Sequence, residues 1–165
     1  MTTHTHSDLP PMSHPDTRAV YDYWNSKRGT RRMPGRGDID PAELPPHLLP
    51  FLSLIDVVPD DRRYVYRLMG TAEVEVRGFD PTGMSVRQGF LAPDAADAIS
   101  RYDAVVASCA PHLDPVPFAA KGARYQTQET IFLPLSDDGV VVNKILVLAA
   151  CSDLSDPATP VRLQL

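Results

Sequence analysis

RYQTQETIFLPLSDDGVVVNKILVLAAC, residues 124–151, is the stretch that decides the fold. Over 124–133 the side chains alternate as a strand requires. Tyr125, Thr127, Glu129, Ile131 and Leu133 share one face, and Arg124, Gln126, Gln128, Thr130 and Phe132 share the other. Ser136-Asp137-Asp138-Gly139 is a turn, and Asp-Gly between apolar runs is a strong hairpin signal. Residues 140–150 then form the final strand. It is apolar on both faces apart from Asn143 and Lys144, which marks a central strand covered on both sides.

A strand of that kind needs helices to cover it. The best helix is 93–108, where Ala95, Ile99, Tyr102, Val106 and Cys109 step by four and three and Asp94 and Asp97 favour the N-terminal end. Prolines restrict 111–117 to an edge segment. Further upstream, 51–58 and 63–69 are strands joined by the turn Pro59-Asp60-Asp61-Arg62. On the second of them Tyr64, Tyr66 and Leu68 share a face. Residues 71–77 alternate like a strand, yet Thr71 could cap a helix and Gly78 suits a left-handed helix end; seven residues do not decide between the two.

The N-terminal part supplies the second cover. A helix over 15–28 is predicted, with Ser13 and Asp16 as a capping box, Pro15 early, and Gly29 as its stop. Val20, Tyr23, Trp24 and Lys27 make its apolar stripe, so it must pack on the uncovered sheet face or on a twin subunit. Residues 29–46 are irregular, with a short helical turn begun by Asp40-Pro41. Leu48, Leu49, Phe51 and Leu52 then return to the core. The predicted organisation is a disordered arm over 1–13, one domain over 14–151 and a tail over 152–165. Antiparallel hairpins flanking a helical insert make it α+β.

This order resembles a PAS domain, and two local patterns sharpen the likeness. One is Tyr23-Trp24 with Arg28, then Pro34, Arg36 and Asp38-Ile39-Asp40-Pro41. The other is Tyr66-Arg67-Leu68-Met69-Gly70-Thr71, followed by Gly78 and Thr82-Gly83. Both resemble a PAS-like family of small bacterial proteins common in alphaproteobacteria, and Glu129, Leu133-Pro134-Leu135-Ser136 and Asp138-Gly139 fit the same pattern. The resemblance implies a five-stranded antiparallel sheet of order 2-1-5-4-3 with helices on one face, and it makes 71–77 helical. It also implies a sensory or regulatory role in signal transduction, through a small molecule, a protein partner or a dimer, with no catalytic residue to carry over.

Composition narrows the function classes. A chain of 165 residues with net charge -5 argues against general nucleic-acid binding. Two cysteines make no disulfide framework, no apolar run reaches spanning length and the N-terminus lacks a basic apolar signal, so a cytoplasmic protein off the membrane is expected.

Motifs for chemistry are scarce. No nucleophile elbow or nucleotide P-loop occurs. His4, His6 and His14 are too loosely placed for an expected metal site. Arg28, Arg31, Arg32 and Arg36 could clamp phosphates, or could pair with Asp38, Asp40 and the acidic body. The candidate cofactor- or ligand-binding residues are Tyr102, Cys109, His112, Tyr125 and Asn143, each with an ordinary structural role as its alternative. Asn143 is read as facing the helical side, and Arg67 with Glu129 as a cross-sheet ion pair. A dimer would use the Tyr23/Trp24 helix. An isomerase or dehydratase of the α/β-cone kind would need Asp56 or Glu129 as acid or base inside an apolar pocket.

Overall fold

The computed structural model describes residues 9–90, 95–117 and 124–153. The hairpin read from 124–151 is its spine. β4 (Tyr125–Leu135) and β5 (Lys144–Asp153) pair antiparallel over most of their length. β1 (Leu52–Val57) lies on the other edge of β5 and β2 (Tyr64–Met69) beyond it, while the short β3 (His112–Asp114) edges β4. The order is β2-β1-β5-β4-β3, which is the order the resemblance implied, with the doubly apolar strand at the centre. The final strand starts at Lys144 rather than 140, because Val140 and Val141 belong to an exposed turn.

Helices cover both faces. On one side lie α2 (Thr71–Arg77), α3 (Val86–Gly89) and α4 (Ala95–Ser108). Residues 71–77 are helical despite their alternation, and Gly78 closes the helix in the left-handed region at φ 76°, its N–H donating to the Val74 carbonyl. On α4 the buried stripe is Ala98, Tyr102 and Val105, rotated from the expected one, and Ile99, Val106 and Cys109 flank it half-buried.

α1 (Pro15–Arg28) covers the opposite face, packing on β4 and β5. Its buried side chains are Thr17, Val20 and Trp24. Trp24 is fully enclosed and its indole N–H donates to the Pro134 carbonyl (2.9 Å). The ring is thus packing within its own chain; a twin subunit could meet only the outer face of this helix. His14, not Ser13, caps the helix, with its ring accepting from the Asp16 N–H. Ser13 is engaged elsewhere, by Glu129. Leu9 and Met12, at the described end of the arm, pack against the core; 1–8 of the arm lie outside the described residues, as does 154–165 of the tail.

Between α1 and β1, three short 3₁₀ turns at Arg36–Asp38, Pro41–Glu43 and Pro46–Phe51 bury Met33, Ile39, Leu44 and Leu48, whereas Leu49 turns outward. No helix among the described residues is long and apolar enough to cross a membrane.

Candidate functional site

Two β-bulges decide which side chains meet beneath α4. In the β1–β2 pair, Leu54 stands opposite Leu68 and Ile55 opposite Tyr66, so Arg67 is an extra residue. Tyr66 and Met69 therefore both face α4, and Leu68 is turned out to 55% exposure, away from the face it was expected to share with Tyr64 and Tyr66. In the β4–β5 pair, Thr127 stands opposite Cys151 and Glu129 opposite Ala150, so Gln128 is extra. Tyr125 and Thr127 thereby join Thr130 and Phe132 on the α4 side, and Glu129, Ile131 and Leu133 face α1.

These strand positions, with α2 and α4 above them, enclose a cavity of about 450 Å³. That is within the range of small-molecule sites. Its wall is chiefly aromatic and aliphatic. Tyr102 meets Phe132 edge-on with centroids 5.5 Å apart, and Phe51 meets Tyr125 edge-on at 5.2 Å, so a T-shaped pair stands at each of two places in the lining. Burial pushes the Tyr102 phenol far up, and it stays protonated. Cys151 lines the cavity too; burial raises its thiol to about 12, against which its contact with the Thr127 hydroxyl (3.6 Å) counts for less. A thiol held protonated is a poor nucleophile.

The polar part of the lining is specific. Arg77 on α2 pairs with Glu73 (3.0 Å), and its guanidinium stands 5.9 Å from the Tyr66 ring centroid. The Tyr66 hydroxyl and the Arg77 Nε are both buried and without a hydrogen-bond partner among the described residues. Gly89 lets this corner form: a Cβ there would stand 2.9 Å from the Tyr66 ring. Arg101 and Asp114 make a second ion pair in the lining (2.8 Å), and Asp97 stands there exposed.

The five residues proposed from sequence are divided by the structure. Tyr102 and Tyr125 reach the cavity. Cys109, His112 and Asn143 are outside its lining. Cys109 follows α4 at φ 50° and its single thiol proton has the Val106 carbonyl (3.5 Å) and the Val140 carbonyl (3.7 Å) within reach. His112 stands opposite Phe132 on the edge strand, ring centroids 5.9 Å apart. Asn143 precedes β5 and donates to Asp137 in the turn (2.8 Å), which corrects its expected place on the helical side. Tyr66, Arg77 and Cys151 were missed. Cys151 continues the 147–149 parity of its strand; Arg77 ends a segment whose helical state the sequence left open.

The remaining candidates find structural partners. Arg67 pairs with Asp56 (2.9 Å), not with Glu129. Glu129, only 1% exposed, accepts from the His14 N–H (2.8 Å), the Ser13 N–H (3.2 Å) and the Ser13 hydroxyl (2.9 Å). Burial alone would raise its carboxyl, but these donors outweigh burial and hold it below the ordinary glutamate value. Asp56, between Arg67 and Lys144, and Glu129 both lie outside the cavity, so neither can serve the cone-type chemistry that needed an acid inside a pocket. In the arginine cluster Arg31 pairs with Asp38, Arg32 donates to the Ser108 carbonyl, Arg36 to the Ile39 carbonyl, and Arg28 to Asn25; this is the self-paired alternative. Among the described residues no group of three His, Cys, Asp or Glu is placed to hold a metal ion.

Comparison with known proteins gives one match: a family model described as a PAS domain covers residues 12–148. No curated protein and no solved structure matches.

Proposed function

The chain belongs to the PAS domain family, and from that premise we propose that it is a sensory or regulatory module that takes a small molecule into the cavity between the sheet and α4. The observation that carries this reading is the cavity itself: about 450 Å³ with a largely apolar, aromatic wall and a few convergent polar groups. The protein acts without chemistry of its own, its two cysteines unpaired as suits a reducing cytoplasm.

Output runs through β4. Thr127 and Thr130 touch the cavity from one face of this strand, while Glu129 between them holds the start of α1 on the other. A ligand that shifts the bulge therefore alters the seat of α1, and the outer face of that helix presents the change to a partner or a second copy. A module built only for protein contact through the Tyr23/Trp24 helix has less support, because Trp24 is enclosed within its own chain and the Tyr23 hydroxyl is engaged by Asp40 and Glu43.

Native mass spectrometry of protein purified from its own cells tests the reading. A small-molecule adduct is expected on the wild type and not on Ala149→Trp, whose indole fills the cavity. Adducts equal on both proteins, or none on either across several growth conditions, would overturn it.

A further inference from the structure

The charged lining says which molecules the cavity rejects. Arg77 is matched by Glu73 and Arg101 by Asp114, which leaves Asp97 as surplus negative charge. A carboxylate or phosphate entering this space would lose its hydration and meet guanidinium groups already neutralised. The same arrangement says what is wanted. The Tyr66 hydroxyl is a donor at neutral pH, and the Arg77 guanidinium over its ring has only donors to offer. Whatever the guanidinium gives to the phenol oxygen, the phenolic proton still lacks an acceptor among the described residues. The Arg77 Nε–H lacks one among them as well. Buried donors left unmatched are costly, so a pocket built with two of them is completed by an oxygen that brings acceptors and no charge.

We propose that the cavity selects an uncharged molecule with a flat, apolar body and a carbonyl-type oxygen, which accepts from the Tyr66 hydroxyl and the Arg77 Nε–H. This rests on the reading of the cavity as a ligand site. Quinones, aryl ketones, lactones and amides share the required chemistry.

Three naphthalene probes of nearly equal shape test it by isothermal titration at neutral pH: 2-acetylnaphthalene, its hydrocarbon counterpart 2-isopropenylnaphthalene, and 2-naphthoate. The ketone is expected to bind about a hundredfold more tightly than the hydrocarbon, about tenfold for each of two satisfied buried donors, and the acid more weakly than the ketone. Tyr66→Phe is expected to cut the ketone's advantage to about tenfold while leaving hydrocarbon binding unchanged and the melting temperature of the free protein no lower. A hydroxyl with a structural role would instead lower that temperature when removed. Arg77→Lys, which keeps the pairing charge for Glu73, is expected to reduce the ketone's advantage in the same direction. Equal binding of ketone and hydrocarbon, or tightest binding of the acid, would overturn this proposal and leave the cavity as a site. No saturable binding by any of the three would remove both.

Discussion

Glu129 is the residue whose role the structure changes most. Alternation placed it on the face of Tyr125 and Thr127, where it could partner Arg67; the bulge at Gln128 sends it to the other face, under the start of α1. Its carboxylate accepts hydrogen bonds from residues more than a hundred positions away. Glu129→Gln keeps the shape and loses the charge, and is expected to cost about 2 kcal/mol by chemical denaturation at pH 7. The pH dependence has a definite sign. The folded value is depressed, so the contribution is complete above the unfolded value of about 4.3 and is lost as pH falls through the lower folded value. The stability gap between wild type and Glu129→Gln should therefore narrow below about pH 4; a gap constant from pH 7 to pH 3 would contradict the assignment. Cys151 gives a second test at this scale. With its thiol near 12, it should resist iodoacetamide at pH 8 in the folded protein and react on unfolding, as mapped by peptide mass. Rapid modification of folded protein would contradict its raised thiol value in the cavity wall.

Elements were more legible than faces. The helix at 15–28, the strand order and the helical state of 71–77 follow from caps, turn signals and the family likeness, since these are local or inherited features. Which side chains meet was less legible, because one extra residue in a strand reverses every later parity. Nothing in TQET or YRLM announces a bulge, so strict alternation puts Leu68 on the face of Tyr64 and Tyr66 and gives no reason to single out Tyr66. Asn143 failed for a related reason: the turn runs four residues longer than Asp-Gly suggests, and Asn143 belongs to it. Tyr102 and Tyr125 were placed at the cavity because one sits on a regular helix stripe and the other at a strand start. Trp24→Ala leaves a large void against β4 and β5 and takes one donor from the Pro134 carbonyl, for an expected loss of about 4 kcal/mol in denaturant melts. A loss under about 1 kcal/mol would show that α1 is only loosely seated.

At the scale of the whole molecule, the sheet has a cavity on one face and a docked helix on the other, joined through the β4 bulge. The account predicts that a bound ligand slows amide exchange in β4 and also alters protection in α1, although no ligand touches that helix. Change restricted to the cavity wall would separate binding from any output through α1. Coupling from a ligand to α1 requires that the cavity be a ligand site. The most direct measurement is a two-dimensional NMR screen of a metabolite library on wild type and Ala149→Trp. The account predicts at least one uncharged compound that shifts Tyr66, Phe132 and Val147 in the wild type in a saturable way and leaves the filled variant unmoved. Compounds that bind both proteins alike, or whose shifts map away from the α4 face of the sheet, would contradict it.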